Sequence, residues 1–204
     1  MIYNDKILIA TRNKNKFIEF QDIIKNNPAG EKFFADGIIY APDFGNLIVE
    51  ETGHNYFENA LLKAQAWSKI SNMAALADDS GLEVEALDNA PGLFSNRIIP
   101  NGNDAQKIEW LLNNLQAHEN RNARFVAALA LVLPDGRIFK GEGFCYGRIA
   151  EKVSGVGGFG YDPVFIPDEF CGKNLTFAEI PAHEKNLISH RANAFKNLLD
   201  NIII

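Results

Sequence analysis

The chain has 204 residues, of which 47% are hydrophobic and 23% charged, an ordinary globular composition that predicts one domain or two small lobes around a shared core. Its formal net charge of −6 argues against broad, non-specific nucleic-acid binding but leaves room for a local basic pocket that takes a small anion. The two cysteines, Cys145 and Cys171, lack metal-ligand spacing and predict a protein that needs no disulfide. No apolar run is long enough for a signal sequence or a membrane span, and we therefore expect a cytoplasmic protein.

The first third of the chain alternates between predicted strands and helices. Residues 6–10 (KILIA) predict a short buried strand, and apolar residues at helical spacing predict a helix over residues 17–27. Apolar runs predict two further strands, over residues 32–42 and 46–50. Residues 52–71 predict a longer helix, because their apolar side chains recur on one face.

The remaining two thirds continue this alternation and add a hairpin. Residues 73–77 (MAALA) predict a strand that ends at a pair of aspartates, and residues 103–116 predict a helix. Residues 124–151 predict a long β-hairpin, because a Pro-Asp-Gly turn divides two strand-like runs. A glycine-rich segment with aromatic residues, 154–167, precedes a helix over residues 189–202. Alternating strands and helices with one long hairpin predict a mixed α/β sheet.

Basic residues cluster directly after the first predicted strand, where the chain opens onto a helix. Helix N-termini offer free N–H groups and a positive dipole end, which suits a phosphate group. The Gly-x-x-x-x-Gly-Lys-Ser/Thr pattern is absent, so this segment is not a Walker loop. The alternative is a solvated charged loop with a Thr or Asn cap. The candidate substrate-binding residues of this segment are Thr11, Arg12, Asn13, Lys14, Asn15 and Lys16.

Acidic residues occur at two further places, Glu51 before the second predicted helix and Asp78-Asp79 at a predicted strand end. Mg²⁺ takes carboxylate oxygens and keeps several waters when it bridges a protein and substrate phosphates. Asp-Asp-Ser-Gly is equally good turn chemistry, and acidic residues before a helix also favour its dipole, so both alternatives stay open. Asn59 and Lys63 are predicted on the polar face of the helix, where Lys63 is either a surface lysine or a phosphate contact.

Two segments near the end of the chain suggest contacts to a flat, polar ligand. In GGFGYDP (157–163) the glycines allow close backbone approach, and Phe159 or Tyr161 could stack on a base. In HEKNLISHR (183–191) a lysine, a histidine and an arginine gather around a helix start. The alternatives are a loop with core aromatics and an exposed basic helix end. Together with the acidic and basic residues upstream, these segments supply the parts of a nucleoside-triphosphate site.

Seven blocks of the sequence, in order and spacing, resemble those of the inosine/xanthosine triphosphate pyrophosphatase family, enzymes that remove deaminated purine nucleotides. The blocks are ATRNKNKFIEF (10–20), ETGHNYFENALLKA (51–64), ALADDSGLEVEAL (75–87), PGLFSNR (91–97), GFGYDPVF (158–165), FAE (177–179) and EKNLISHR (184–191). The resemblance therefore extends over nearly the whole chain.

The resemblance implies a fold, an activity and an assembly. The implied fold is a single α/β domain over residues 1–204, with an elongated mixed β-sheet flanked by helices and two lobes around an active-site cleft. The implied activity is Mg²⁺-dependent hydrolysis of dITP, ITP and XTP or dXTP to the monophosphate and pyrophosphate, which cleans the nucleotide pool. Relatives are mostly homodimers, so we expect a homodimer with a nucleoside triphosphate substrate and no direct nucleic-acid or membrane partner.

The resemblance also implies roles for individual residues. It assigns metal binding to Glu51 and Asp79, and the general base to Asp79 with Asp78 beside it. Because one carboxylate cannot easily be both metal ligand and base, the division of roles between the two aspartates stays open. The implied substrate contacts are Thr11, Asn13, Lys16 and Lys63 for the phosphates, Ser80 in the same pocket, and Phe159, Gly160, Tyr161, Asp162, Lys185, His190 and Arg191 for the base and the rest of the substrate.

The chain departs from the family at two positions, Asn55 where Thr is usual and Asn96 where Ala is usual. We expect these to affect fine substrate preference or the dimer surface rather than the chemistry. A related pyrophosphatase of the septum-inhibitor type would lack the SHR block and the FGYDP loop. A haloacid-dehalogenase-like phosphatase would need an aspartate nucleophile after the first strand, where this chain has TRN. A non-catalytic nucleotide sensor is disfavoured because the acids and lysines are intact.

Overall fold

Six strands form one mixed sheet in the computed structural model, which describes residues 6–34 and 37–203. The strands are β1 (Ile7–Ile9), β2 (Ile38–Tyr40), β3 (Ala74–Val84), β4 (Asn122–Val132), β5 (Ile138–Ile149) and β6 (Phe165–Pro167). Their order is β2-β1-β3-β4-β5-β6, with β1 parallel to both neighbours and β5 antiparallel to β6. The predicted mixed α/β fold is confirmed, and the two lobes around a cleft stay a prediction.

Helices flank this sheet, and four of them were predicted. They are α1 (Lys14–Lys25), α2 (Pro28–Phe33), α3 (Ala41–Phe44), α4 (Tyr56–Ser71), α5 (Asp104–Asn114), α6 (Ala182–Ile188) and α7 (His190–Ile203). The predicted helices correspond to α1, α4, α5 and α7, and the predicted hairpin is formed by β4 and β5. Within the described part of the chain, no helix combines the length and the apolar character that a membrane crossing requires.

Contacts between residues divide the chain into two compact units. Unit 1 comprises the described residues of Met1–Asp79, Ala127–Gly143 and Arg191–Ile204, and unit 2 comprises Ser80–Val126 and Phe144–His190. Among the described residues, unit 1 contains two buried apolar clusters and unit 2 contains one, and the two units are described separately below.

The core of unit 1 lies on both faces of β3, because successive strand residues point to opposite sides. Ala74 and Leu76 belong to one buried cluster with Phe20 of α1 and Phe195 of α7. The intervening alanines of β3, residues 75 and 77, belong to a second cluster with Trp67 of α4. The strand therefore has α1 and α7 on one face and α4 on the other.

The core of unit 2 is rich in aromatic side chains. The Phe125 ring of β4 lies 4.6 Å from the Phe165 ring of β6, and the Phe165 ring lies 5.2 Å from that of Phe177. Leu82 and Val84, at the end of β3, are completely buried in the same cluster. Tyr161 and Val164, from the glycine-rich segment before β6, belong to this cluster as well.

The strand predicted over residues 32–42 is wrong except for its centre. α2 ends at Phe33, β2 covers only Ile38–Tyr40, and α3 begins at Ala41. The physical reason for the preceding helix is its cap: the Asn27 side chain accepts hydrogen bonds from the backbone N–H groups of residues 29 and 30. A proline at the first helical position then fits the helix without losing a bond. Residues 35–36 lie outside the described part of the chain.

The strand predicted over residues 46–50 is also wrong, since this segment has no regular secondary structure. Leu47 and Val49 do alternate with more exposed neighbours and pack against the second cluster of unit 1. The apolar alternation in the sequence therefore identified correctly which side chains of this segment are more buried. A strand also needs a hydrogen-bonded neighbour, which periodicity alone cannot reveal.

Candidate active site

The two central aspartates lie inside β3 and not at its end. The strand continues through Asp78, Asp79 and Ser80 to Val84, so the prediction that it stops at residue 77 is wrong. The apolar alternation resumes beyond the aspartates at Leu82, which keeps the strand extended. By the same alternation Asp78 follows the α1 and α7 face and Asp79 follows the α4 face, while Ser80, the next residue of β3, is half buried and belongs to unit 2. The carboxylates of Asp78 and Asp79 therefore lie in two different environments.

Asp78 is the centre of a buried network of ion pairs in unit 1. Its carboxylate lies 3.3 Å from Lys16 Nζ and accepts a hydrogen bond from Arg191 Nε at 3.1 Å. The same guanidinium donates from Nη1 to Glu19 Oε2 at 2.8 Å. These four side chains come from α1, β3 and α7, and all are at least largely buried.

Burial and charge act in opposite directions on the pKa of Asp78. Burial alone would raise this pKa, but the positive charges of Lys16 and Arg191 outweigh burial and hold it well below its usual range. For Lys16 the balance is reversed, because burial lowers its pKa more than the attraction of Asp78 raises it. Asp78 therefore favours its ionised form, pairs with two basic side chains and is a poor proton acceptor.

Asp79 has different partners on the other face of β3. Its Oδ2 accepts a hydrogen bond from Asn59 Nδ2 at 3.0 Å, and its Oδ1 lies 3.9 Å from Lys63 Nζ. Lys63 Nζ also donates to Glu51 Oε1 at 2.7 Å. Burial raises the pKa of Asp79, and the nearby Lys63 only partly opposes this. Two carboxylates thus converge on one cation, and one of them has a raised proton affinity.

Asn59 was predicted on the polar face of α4, opposite its apolar residues, and the structure shows that this polar residue is completely buried. Its Oδ1 accepts a hydrogen bond from the Gly53 N–H at 2.8 Å while its Nδ2 donates to Asp79. Asn59 therefore joins the segment that carries Glu51 to the carboxylate of β3. The spacing offered a signal, since Asn59 and Lys63 are four residues apart and share one side of the helix.

Replacing Asn59 by Ala is expected to lower the free energy of unfolding by about 1–3 kcal/mol, because it leaves the Gly53 N–H and one oxygen of Asp79 without their buried partner. Chemical denaturation measures this difference. Gln65→Ala, an exposed substitution on the same helix, is the matched control and should change stability by less than about 0.5 kcal/mol. Equal stability of the two variants would contradict the bridging role of Asn59.

The basic segment between β1 and α1 is held by local hydrogen bonds. Asn13 caps α1, with its Oδ1 accepting from the N–H groups of Asn15 at 2.9 Å and Lys16 at 3.2 Å. Thr11 Oγ1 accepts from the Asn13 N–H at 3.1 Å. The capping alternative is thus observed, and phosphate binding by the same segment stays a prediction.

Lys14 and Lys16 of that segment have different partners. Lys14 Nζ lies 4.5 Å from the centre of the Tyr40 ring, and the Tyr40 hydroxyl donates to the Arg12 carbonyl at 2.7 Å. Of the three basic residues in the segment, only Lys16 has an ion pair with an acid of β3 among the described contacts. Lys16 is therefore the basic residue of the segment that is fixed beside the acidic centre.

In unit 2, Lys185 and Asp162 form a second buried ion pair. Lys185 Nζ lies 2.5 Å from Asp162 Oδ2, and the same oxygen accepts from the Phe159 N–H at 2.9 Å. The ammonium also lies 5.0 Å from the centre of the Phe159 ring. Gly158 adopts a φ of +69°, and a Cβ there would come within 2.0 Å of Asp162 Oδ2, so only glycine fits. The predicted base-binding segment therefore folds around the carboxylate of Asp162, which is one of its own residues.

The other predicted base contacts divide between core and surface. Tyr161 is buried and its hydroxyl donates to the Ser95 carbonyl at 3.0 Å, whereas Phe159 is only half buried. His190 stacks on Phe125, with ring centres 4.7 Å apart and planes 13° from parallel. Of the two aromatics proposed to stack on a base, Phe159 is therefore the accessible one. Gly160 donates its N–H to an aspartate of α5, as described below.

The described residues contain no group of three or more His, Cys, Asp or Glu side chains that could by itself hold a metal ion. The pair formed by Glu51 and Asp79 is smaller, yet both carboxylates already face one positive charge, the ammonium of Lys63. Mg²⁺ commonly uses only one or two protein carboxylates and completes its coordination with substrate phosphates and water. The donor set therefore fits a magnesium ion that arrives with a nucleotide.

The family model described as the Ham1 family matches residues 7–201. The chain is 43% identical over 196 residues to the dITP/XTP pyrophosphatase of Methylacidiphilum infernorum (isolate V4), covering 95% of this chain and 92% of that protein. It is 44% identical over 201 residues to the dITP/XTP pyrophosphatase of Listeria monocytogenes (serovar 1/2a), covering 97% and 95%. The solved Staphylococcus aureus Ham1 protein has a TM-score of 0.81 and 36% identity, covering 98% of each chain. The chain therefore belongs to the Ham1 family.

Proposed function

We propose that this protein hydrolyses dITP, ITP and XTP or dXTP to the nucleoside monophosphate and pyrophosphate. The observation that carries the proposal is the convergence of Glu51 and Asp79 on one cation, in a chain 43% identical to a protein named dITP/XTP pyrophosphatase. Removal of deaminated purine nucleotides before polymerases can use them is the physiological role that this activity would serve.

The proposed metal is Mg²⁺, held by Glu51 and Asp79. When bound, the ion would neutralise charge on the phosphate oxygens and favour attack of a water molecule at the α-phosphorus. Lys63, which lies between the two carboxylates, would then turn its ammonium to the phosphates. In our proposal Lys16 and the cap residues Thr11 and Asn13 bind the remaining phosphate oxygens, since the segment opens onto the N-terminus of α1.

Of the two aspartates, Asp79 is the better candidate for the general base, and in our proposal one of its carboxylate oxygens holds the metal while the other receives the proton. The oxygen of the attacking water forms a bond to the α-phosphorus, the bond from this phosphorus to the bridging oxygen breaks, and pyrophosphate leaves. A proton of the water passes to Asp79, whose pKa is raised by burial, and then to solvent. Asp78 is unsuited to this step, because the charges of Lys16 and Arg191 keep its pKa low despite burial. Its proposed role is to fix these two cations beside the substrate.

The proposed base-binding surface consists of residues of unit 2. Phe159 is half buried and offers a ring face, while Lys185 and His190 supply hydrogen-bond donors. Hypoxanthine and xanthine present a 6-keto acceptor, whereas adenine presents a 6-amino donor. A donor aimed at position 6 would leave two donors face to face when ATP binds, which strongly disfavours adenine.

Assembly and location complete the proposal. A homodimer of single-domain subunits is proposed on the sequence resemblance. A cytoplasmic location is supported by the free state of Cys145 and Cys171, which fits a reducing compartment.

The test is pyrophosphate release from dITP, XTP, dATP, dGTP and dUTP in the presence of Mg²⁺. Release from dITP or XTP, with dATP and dGTP barely hydrolysed, is the expected result. Preferential release from dUTP would favour a pyrophosphatase for other modified nucleotides. Nucleotide binding without release from any of the five would favour a nucleotide sensor and overturn the proposal.

Removal of divalent metal is expected to lower pyrophosphate release from dITP by about 100-fold or more, because no other group neutralises the charge at the reacting phosphate as strongly. Activity is measured after chelation and again after Mg²⁺ is restored, which should return the original rate. Glu51→Gln should increase the Mg²⁺ concentration needed for the half-maximal rate. Full activity in excess chelator would contradict the metal requirement.

A further inference from the structure

A chain of polar contacts connects the predicted base-binding loop to the start of α5. The Gly160 N–H donates to Asp104 Oδ2 at 2.7 Å, and the other oxygen of Asp104 lies 3.3 Å from Lys107 Nζ. Lys107 Nζ also donates to Asn96 Oδ1 at 3.1 Å. All four residues belong to unit 2. We propose that Asp104 is a positioning residue for nucleotide binding, and that Lys107 and Asn96 fix its orientation.

Gly160 is a position of this loop at which side-chain packing imposes no restraint. It has a φ of +62°, and a Cβ built there meets no atom within 4 Å, so side-chain packing does not restrain it. Its N–H donates to the half-exposed carboxylate of Asp104, which makes this a charge-assisted hydrogen bond. This contact and the hydrogen bond from the Asp162 N–H to the Phe159 carbonyl at 3.2 Å therefore hold the backbone at Gly160.

A cavity of about 510 Å³ explains why the contact is needed. Its lining includes Ile108 and Leu112 of α5 on one side and residues 157–160 of the loop on the other. The loop and the helix are thus separated by open space here instead of packed side chains. Because dispersion contacts are missing across this space, the Asp104 hydrogen bond is a direct polar contact that joins the loop to the helix here.

Lys107 is placed to hold the Asp104 carboxylate in one orientation. It is only 7% exposed, which is unusual for a lysine, and its ammonium lies between the oxygens of Asp104 and Asn96. Asn96 follows Ser95, whose carbonyl accepts the Tyr161 hydroxyl. The segment before α5 and the helix itself therefore hold two consecutive loop residues, Gly160 and Tyr161.

The consequence for function rests on the proposed pyrophosphatase activity. Phe159 and Asp162 lie on either side of Gly160 and Tyr161, and they carry the ring face and the Lys185 partner proposed to meet the base. Release of Gly160 would displace both without touching Asp79 or Glu51. We therefore expect Asp104 to influence substrate binding, seen in KM, and to leave the chemical step, seen in kcat, nearly unchanged.

The experiment compares dITP hydrolysis by wild type, Asp104→Ala, Asp104→Asn and Lys107→Met. Asp104→Ala should raise KM about tenfold with kcat within about threefold, as expected for loss of one charge-assisted hydrogen bond that acts on binding. Asp104→Asn keeps a carbonyl oxygen for the Gly160 N–H and should recover most of the loss. Glu109→Ala, an exposed carboxylate of the same helix, is the matched control and should behave as wild type.

A double variant tests whether Lys107 acts through Asp104. Asp104→Ala combined with Lys107→Met should raise KM no further than Asp104→Ala alone, because the two residues belong to one contact chain. Asn96→Ala should give a smaller increase than Lys107→Met, since Lys107 then retains Asp104. Additive increases in KM would overturn the chain of contacts. Unchanged KM in Asp104→Ala, or a fall in kcat alone, would overturn the positioning role.

Hydrogen exchange separates this inference from the proposed function. In the ligand-free protein, amides of residues 157–162 should exchange at least about tenfold faster in Asp104→Ala than in wild type, while those of β4 stay protected. This measurement needs no activity, so it tests the contact even if wild type hydrolyses none of the nucleotides. Equal exchange in both proteins would refute the inference, whatever the substrate.

Discussion

Replacing Asp79 by Asn is expected to lower the rate of pyrophosphate release from dITP by on the order of 10²–10⁴-fold, the range that general acid–base groups contribute. The substitution keeps the side-chain shape and the Oδ atom that faces Lys63 but removes the negative charge. It thereby removes both the proposed proton acceptor and one of the two proposed metal ligands. The rate is measured with Mg²⁺ at saturation, so that weaker metal binding alone cannot account for the loss.

Two further variants make this expectation specific to Asp79. Asp43→Asn, an exposed aspartate of the same unit, should keep the wild-type rate. Glu51→Gln should lose activity that additional Mg²⁺ partly restores, because it removes a metal ligand without removing the proposed base. If Asp79→Asn turned over dITP at a near-normal rate with Mg²⁺ saturating, Asp79 would be neither the base nor an essential ligand.

The sequence could predict Asp78 and Asp79 as candidate site residues but not which role belongs to each. Their alternating orientation depends on β3 continuing beyond them, and Asp-Asp-Ser-Gly favours a turn when it is considered locally. Leu82 and Val84 are buried in unit 2 and keep the strand extended. Tertiary packing thus overrides the local turn preference. Once the strand is continuous, period-two geometry separates the partners of Asp78 from those of Asp79.

Buried polar residues were the main class of site residue that sequence patterns misplaced. Asn59 and Glu19 were assigned to no role, yet Asn59 holds Asp79 and Glu19 pairs with Arg191. A helical pattern treats a polar side chain as outward-facing, because burial of such groups is costly unless they find partners. The partner of Asn59 is 20 positions away along the chain and that of Glu19 is 172 positions away, so only the folded structure brings them together.

Elements with strong apolar periodicity were predicted well, and so was the short buried strand β1, but the short elements between residues 28 and 50 were not. α4, α5 and α7 each bury one face, so their existence follows from spacing alone. The segment over residues 46–50 shows a strand-like alternation yet has no strand partner. Tyr161 likewise belongs to the core, while Phe159 in the same loop remains half exposed. Composition could not distinguish these two aromatics, because both fit a glycine-rich loop equally well.

Replacing Lys185 by Met is expected to lower the free energy of unfolding by about 3–5 kcal/mol, because it leaves the buried Asp162 carboxylate without its closest positive charge. Both side chains of this pair are at most 5% exposed, and their charged atoms are 2.5 Å apart. Substrate binding should weaken as well, since the ammonium lies against the Phe159 ring that is proposed to meet the base.

The double variant Lys185→Met with Asp162→Asn should recover much of the lost stability, because no unpaired charge remains and the Asn carbonyl still accepts the Phe159 N–H. Asp135→Asn is the control for exposure, because it breaks an ion pair of similar length, 2.7 Å to Arg137, in which both side chains are about half exposed. This substitution should lower the free energy of unfolding by less than about 1 kcal/mol. Urea denaturation of wild type, Lys185→Met, the double variant and Asp135→Asn measures these differences in stability. If the buried and exposed pairs contributed equally, or if the double variant were no more stable than Lys185→Met, the cost would not arise from an isolated buried charge. If the double variant regained stability without regaining nucleotide affinity, Lys185 would act on the substrate directly as well as through Asp162.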